Sequence, residues 1–429
     1  MFKRFTALIL LFFQPFVVMA NNSLEDRVAK LEEQFRKSLL MSSTEQTFEE
    51  KELRMIYDDG FYLKGADDTL KIGGWLQAGY RAIDKREVAE NEFFIRRALL
   101  DVRGVLEENW GYRIYGSFVG SSATLQEGWL EYRWGVPLRV RFGQIKPPYS
   151  LENSYSSRWV TMIERSLAAT NLTVPENLGL MIFGNLFDKK ASYALSVYNG
   201  NGRNVSENNS NKEVAGRITV RPLLGRGACP CRNTCLGVSV AKGRFDGALS
   251  SISYKTASRV SFVTFPITVS QKGTLLKYGG ELEWFFKQFK LMGEYLVLKR
   301  NHVYGSGIDR PITSRGWFIT GSYLLTGEDA VSNKAIVPIS NFDKGKGVGA
   351  WEFAFRFEGL KTTAKAFDDG LISGARDVKS ETLGFNWWPN HHIKGSLNFI
   401  RTDFGENLTF GDLSRDHENA LITQFQFNF

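Results

Sequence analysis

Arginines stand at alternating positions in several extended stretches of this chain: Arg97 and Arg103 flank Asp101, Arg139 and Arg141 are two apart, and Arg217 and Arg221 share one parity. A guanidinium is protonated at any physiological pH and presents its donors as a planar fork. A wall of such groups can exchange an oxyanion's water shell for charge-assisted hydrogen bonds, and rings of Arg and Lys are how pores select anions. The same residues have a plainer use, because each can pair with a nearby carboxylate and brace the wall. Either use requires the arginines to share a face, so the elements that carry them come next.

Those elements read as strands. Leu421, Phe425, Phe427 and Phe429 alternate with Ile422, Gln424, Gln426 and Asn428, and Trp351, Phe353, Phe355 and Phe357 alternate with Glu352, Ala354, Arg356 and Glu358. One greasy face and one largely polar face at a period of two is the signature of a strand. About sixteen such segments follow residue 70, near 70–81, 92–106, 111–120, 125–134, 138–146, 178–187, 191–199, 214–222, 235–244, 273–287, 289–300, 313–326, 349–359, 378–388, 392–403 and 417–429. Each is about as long as the roughly 9 to 11 residues a tilted strand needs to cross a membrane, or a little longer. Short turns at 107–110, 135–137, 188–190 and 389–391 take turns with long connections at 146–177, 200–213, 245–272, 301–312 and 360–377. That rhythm belongs to an even-stranded barrel with short turns at one end and loops at the other. Two long connections, 223–234 and 327–348, fall on the wrong end. A secreted β-sandwich or propeller would show the same alternation with its faces exchanged. The even count, the rhythm and the terminal Phe429 favour an all-β fold, a 16-stranded antiparallel transmembrane β-barrel over 70–429.

Parity then assigns faces. An arginine on the lipid face near mid-membrane costs roughly 2 to 4 kcal/mol, whereas one in the lumen keeps its water. The lumenal set is Arg81, Arg97, Arg103, Arg113, Arg133, Arg139, Arg141, Arg217, Arg221, Arg356 and Lys394, against Asp101, Glu131, Glu281, Glu283, Glu294, Glu352 and Glu358.

Of the 429 residues, 43% are hydrophobic and 14% aromatic, which excludes disorder, and no uncharged run beyond the first 20 residues approaches the roughly 18 that a spanning helix needs. Lys3 and Arg4, the apolar stretch to Val18 and the small-residue site before Asn21 read as a signal peptide over 1–20, hence export. Its removal leaves 52 basic against 46 acidic groups, about +6. Leu24, Val28, Leu31, Phe35 and Leu39 form a short coiled-coil-like helix over 21–41, able to oligomerise or to lie as a solvated helix, and 42–69 is a polar linker. Cys229, Cys231 and Cys235 are three thiols in an exported chain, so one local disulfide with one free or intermolecular thiol is expected, including a cross-link to another envelope protein. They lack a fourth ligand for zinc. Gly237-Val238-Ser239-Val240-Ala241 lacks the last glycine of a nucleophile elbow, and Gly345-Lys346-Gly347-Val348-Gly349 lacks phosphate-loop spacing. No motif calls for catalysis, a cofactor, a metal or nucleic acid.

Six landmarks, in order from about residue 60 to 429, resemble the phosphate-selective porin O and P family. They are Phe94-Ile95-Arg96-Arg97-Ala98-Leu99-Leu100, Phe142-Gly143-Gln144-Ile145-Lys146-Pro147-Pro148, Ala215-Gly216-Arg217-Ile218 with Arg221-Pro222, Thr326-Gly327-Glu328-Asp329, Gly349-Ala350-Trp351-Glu352 with Arg356, and Leu383-Gly384-Phe385-Asn386-Trp387-Trp388-Pro389-Asn390. The resemblance implies an outer-membrane barrel of a Gram-negative-type cell, usually a homotrimer surrounded by outer-membrane lipid, passing small anions through a basic eyelet. It implies that long loops fold inward, making Lys146, Arg158 and Arg165 of 146–177 and Lys255, Arg259 and Lys272 of 245–272 the candidates for the constriction. It also makes Phe429 similar to the signal such barrels present to their assembly machinery. The family's phosphate-site lysines have no residue-by-residue match here, so anion transport is the broader expectation and phosphate the narrower one. A general or dicarboxylate-permeable porin and a structural or adhesin barrel are the alternatives.

Overall fold

The computed structural model describes residues 29–34, 54–57, 60–84, 90–206, 210–225, 229–343, 345–410 and 413–429. Residues 29–34 are helical; the signal peptide and the remainder of the coiled-coil-like segment lie outside the described residues. Within 42–69, β1 (Arg54–Tyr57) and β2 (Phe61–Lys64) form a hairpin where a linker is expected.

Sixteen strands make the barrel: β3 (Thr69–Ile83), β4 (Glu92–Leu106), β5 (Trp110–Ser117), β6 (Thr124–Arg133), β7 (Arg139–Ile145), β8 (Asn177–Leu186), β9 (Ala191–Tyr198), β10 (Glu213–Val220), β11 (Cys235–Ala248), β14 (Ser270–Phe286), β15 (Phe289–Gly305), β16 (Ile308–Leu324), β17 (Ala350–Thr362), β19 (Asp377–Asn390), β20 (Ile393–Phe410) and β21 (Leu413–Asn428). Each pairs antiparallel with the next, and β21 closes on β3 from Asn428 opposite Trp75 to Ala420 opposite Ile83. Where β21 stops, β2 takes over the free edge of β3, with Phe61 opposite Ile72 and Lys64 opposite Thr69. Closure leaves no lipid-facing edge with unpaired backbone groups.

The faces distinguish this barrel from a sandwich. Along β21, Ile422, Gln424, Gln426 and Asn428 are 2%, 5%, 3% and 1% exposed, while Phe425 and Phe427 are 64% and 49% exposed. Polar groups inside and phenyl rings outside is the arrangement lipid demands.

The wall is uneven. Strands β5 to β10 have 7 to 10 residues, and β11, β14 to β17 and β19 to β21 have 13 to 18. The connection expected at 301–312 is only the turn Ser306-Gly307, because β15 and β16 run on past the membrane band. Outward residues there meet water, so greasy alternation ends before the strand does.

Three inserts enter from the loop end. Residues 146–176 carry α1 (Leu151–Ser154) and α2 (Leu167–Asn171); 249–269 carry β12 (Ser253–Lys255) and β13 (Ser261–Thr264); 363–376 carry α3 (Ala364–Asp368) and β18 (Ser373–Gly374), which completes a small sheet with β12 and β13. Leu167, Leu172, Tyr254, Phe262, Val263 and Leu371 form an apolar core with inward residues of the tall wall such as Leu296, Leu298, Ile312 and Leu360. This half of the lumen is therefore packed rather than wet. From the opposite end, 325–349 tucks Ala330 and Ile336 against Leu324, Ala350 and Trp388. Cys229 and Cys231 form a disulfide beside this end, and Cys235 is a buried free thiol at the start of β11.

Gly143 in β7 has φ +134°, and an added Cβ would lie 2.2 Å from the Gly128 carbonyl oxygen. A Gly143→Val chain is expected to lose about 1–3 kcal/mol of stability, the range for backbone strain of this kind. The check is the folded fraction seen as a mobility difference between heated and unheated samples on a gel.

Candidate functional site

The short wall carries an arginine ladder. Arg113 makes two hydrogen bonds to Asp101, at 2.7 and 2.9 Å, and a third to Glu127 at 3.0 Å. Arg141 donates to Glu131 at 2.7 Å and lies 3.8 Å from the Trp129 ring centre. Arg217 is forked onto Glu281 and reaches the Ser154 hydroxyl at 3.1 Å. These partners hold the arginines at fixed heights and engage all three nitrogens of Arg113 and of Arg217.

A bulge adds to the ladder. In the β3–β4 pairing Gln77 faces Arg97 but Ala78 faces Ile95, so Arg96 is an extra residue. A bulge lets two consecutive side chains share a face, and Arg96 and Arg97 both point inward. Arg96 pairs with Glu164 of the loop, and Arg97 donates to Gln77 at 2.8 Å.

Opposite stands loop 146–176, whose backbone is held by side chains of the far wall. Glu294 accepts from the Leu151 amide at 2.8 Å and the Ser150 hydroxyl at 3.0 Å, fixing Ser150 at φ 72°. Glu358 accepts from the Leu167 amide at 2.6 Å, and Asn398 from the Ile163 amide at 2.8 Å. Asn386 donates to the Thr161 carbonyl at 2.9 Å, and Lys394 to the Val160 carbonyl at 3.0 Å. Arg356 donates to the Glu164 carbonyl at 3.0 Å and to the carboxylate of buried Glu152, which itself accepts from the Ser166 amide at 2.7 Å. From the turn end, Asn333 accepts from the Ser156 amide at 2.9 Å.

Between ladder and loop lies a cavity of about 880 Å³. Arg96, Arg97, Arg103, Arg113, Arg141, Lys146, Arg158, Arg165, Arg203, Arg217 and Arg259 line it, against the carboxylates Glu127, Glu164 and Glu176. Eleven cations face three acids across it, with Asp101, Glu131 and Glu281 bonded behind Arg113, Arg141 and Arg217, so cations still exceed carboxylates in a chain whose total charge is modest. Among the described residues, Arg97, Arg165 and Arg259 have no carboxylate at ion-pair distance; Arg165 spends two donors on the Glu152 and Tyr155 carbonyls, at 3.1 and 2.8 Å. All of them crowd Glu164. Burial alone would push its carboxyl up, but Arg96, Arg259 and Arg97 hold it down to about 2. A depressed carboxyl contributes stability above its unfolded value near 4.3 and loses it only as pH falls toward 2, so the pair stays ionised at neutral pH. Burial lowers the Arg259 and Arg165 guanidiniums and the Lys146 ammonium, each opposed by nearby glutamates.

The cavity thus gathers Arg97, Arg103, Arg113, Arg141, Arg217, Lys146, Arg158, Arg165 and Arg259 from the residues singled out by parity and by the loops. It omits the others. Arg356 and Lys394 face inward as parity requires but are spent clamping the loop, and Arg81 likewise donates to the Ser258 carbonyl at 2.8 Å. Arg133 braces Glu131 at 2.8 Å. Arg139, Arg221 and Lys255 lie outside the cavity, and Lys272 is on the outer face of β14. Two lining residues escape the parity reading. Arg96 is out of phase until the bulge is known; the double arginine is its only sequence trace. Arg203 is held by Glu176 at 2.6 Å in the loop after β9, where no period exists.

The sequence model of the family described as phosphate-selective porin O and P matches residues 70–429. Porin O of Pseudomonas aeruginosa is 24% identical over 406 residues, covering 84% of this chain and 88% of that protein. The fold is similar to OmpT of Vibrio cholerae (TM-score 0.55, 9% identity, 86% of this chain and 100% of that one), including a trimer form of it (TM-score 0.52, 8% identity, 84% and 99%). It is also similar to an anion-selective porin from Comamonas acidovorans (TM-score 0.54, 10% identity, 84% and 100%).

Arg356→Met should leave the Glu152 carboxylate buried without its cation, a loss of about 3–5 kcal/mol for a broken buried pair. The expected result is a lower melting midpoint with a larger, noisier open-channel current; unchanged melting and current would remove Arg356 as the clamp.

Proposed function

The chain belongs to the phosphate-selective porin O and P family and is an outer-membrane porin; from that premise we propose that it passes small anions down their gradient, with phosphate-like oxyanions as favoured cargo. The observation that carries this reading is the excess of cations around one cavity, eleven against three lining carboxylates and the three, Asp101, Glu131 and Glu281, bonded behind them. The anion-selective porin with a similar fold supports it. Small anions and outer-membrane lipid are then its partners, and a homotrimer, as in the trimer form of OmpT, is the proposed assembly.

The mechanism is electrostatic. Ladder arginines already bonded to Asp101, Glu127, Glu131 and Glu281 supply a positive field with little appetite for a further ligand. Arg97, Arg165 and Arg259 keep free donors, so an anion there can trade water for forked hydrogen bonds. Glu164 in their midst weakens the site, which favours release as well as entry, the balance conduction requires. The forks suit tetrahedral oxyanions and carboxylates more than halides.

In planar bilayers under a salt gradient, the zero-current potential should report anion preference. Neutralising Arg97, Arg165 or Arg259 to Gln should each reduce it by about fivefold in relative permeability, the equivalent of about 1 kcal/mol for one charge at 4 Å in a water-like medium. Glu164→Gln should raise it. Added phosphate should reduce chloride current more than added succinate does. Cation preference would overturn the proposal, equal block by both would leave a general or dicarboxylate-permeable porin, and no current at all would point to a structural or adhesin barrel.

A further inference from the structure

The tall wall carries an unexplained feature on its outer face. Outward-facing Phe355, Phe357, Leu383, Phe399 and Leu421, from β17, β19, β20 and β21, border an apolar groove of about 590 Å³. One outward step further toward the loop end, β17, β19 and β20 with Arg376 of the last insert border a second recess of about 550 Å³ lined by Lys361, Arg376, Lys379, Asp377, Asp403 and Glu406. The lower groove is mostly apolar, with Glu381 and Arg401 level with Phe357 and Asp84 also at its edge, and the upper recess is charged, a gradient that suits a lipid better than a bare membrane contact.

The charges around it are unbalanced in a particular way. Lys361 pairs with Asp377 at 3.4 Å, Arg401 with Asp403 at 3.0 Å and Arg376 with Glu406, and Glu381 sits directly across from Arg401. Arg315 and Lys379 have no carboxylate at ion-pair distance among the described residues, and both are exposed. Arg315 of β16 is also the direct cross-strand partner of Lys361 in β17, with Val297 on its other side. Like charges directly opposite one another on one face repel, and an anion shared between them removes the penalty. None of these residues faces the lumen, so ion passage does not account for them.

We infer that this outer face is a binding site for a phosphorylated saccharide lipid of the outer leaflet. Acyl chains lie in the groove between Phe357, Leu383 and Phe399, and phosphates rest on Arg315, Lys361 and Lys379. Orientation rests on the outer-membrane reading, in which long loops face outward and so place this recess at the outer leaflet. The three cations occupy three adjacent strands, about 10 Å from first to last at roughly 4.8 Å per strand. That spread suits a headgroup with two separated phosphates better than a glycerophospholipid with one.

The test uses the full-length protein in detergent and native mass spectrometry, with bisphosphorylated lipid A and phosphatidylglycerol as probes. The wild type should retain lipid A in preference to phosphatidylglycerol, and Arg315→Gln/Lys361→Gln/Lys379→Gln should bind lipid A at least about tenfold more weakly, a loss of about 1.4 kcal/mol. The triple variant should keep wild-type ion preference and current, which shows that it is folded and separates this site from the pore. Equal retention of both lipids, or equal lipid A binding by variant and wild type, would overturn the assignment. So would a photo-cross-linker placed at Leu383 that captures a second copy of the chain instead of lipid, since the face would then be an interface between copies.

Discussion

Everything in the lumen depends on how the backbone of loop 146–176 is satisfied. A segment pushed into a barrel takes its amides and carbonyls away from bulk water, and each must find a partner or cost free energy comparable to a lost hydrogen bond. Here the partners are inward side chains of the far wall: Glu294, Glu358, Arg356, Asn386, Lys394 and Asn398. They fix the loop a set distance from the short wall, and that distance is the passage.

The division of labour between the two halves follows. The tall wall spends its inward charges on the loop and its inward leucines on the packed inserts, so little open water remains there. The short wall carries no such packed core, and its guanidiniums line the cavity. A carboxylate beside most of them sets height and orientation, and the few without one are those proposed to meet an anion. An arginine that braces a wall and an arginine with donors to spare, such as Arg113 and Arg97, are thus neighbours on one strand pair, distinguished by what else lies within 3 Å.

Much of the barrel was legible in the sequence because lipid imposes a rule at every second residue. β4 is read at the same residues, Glu92–Leu106, and the closing strand's faces are read side chain by side chain. The rule fails where lipid is absent. β15, β16, β20 and β21 run on toward the loop end, where inward Val303 and Ile312 pack on the inserts but the outer face turns polar, as at Asn301 and Asp309, so 301–312 read as a loop. It fails again inside, where Leu296-Val297-Leu298 breaks alternation because Leu296 and Leu298 meet the inserts while Val297 lies on the opposite face. The hairpin Arg54–Tyr57 and Phe61–Lys64 is too short to show a period at all.

Sequence by itself determined the strand count and the outward rings, since each follows from local alternation and the penalty for charge in lipid; its inward cations left out Arg96, turned in by a bulge, and Arg203, in a loop. Which of the inward cations are spent on other groups and which keep free donors was decided only by tertiary structure. Arg356 and Arg97 are indistinguishable by parity, yet Arg356 finds Glu152 from 204 residues away and becomes a clamp, whereas Arg97 has only Gln77 and stays available. The physical reason is that a side chain's donors are spent on whatever groups the fold brings within reach, and those groups come from loops whose path no periodicity records.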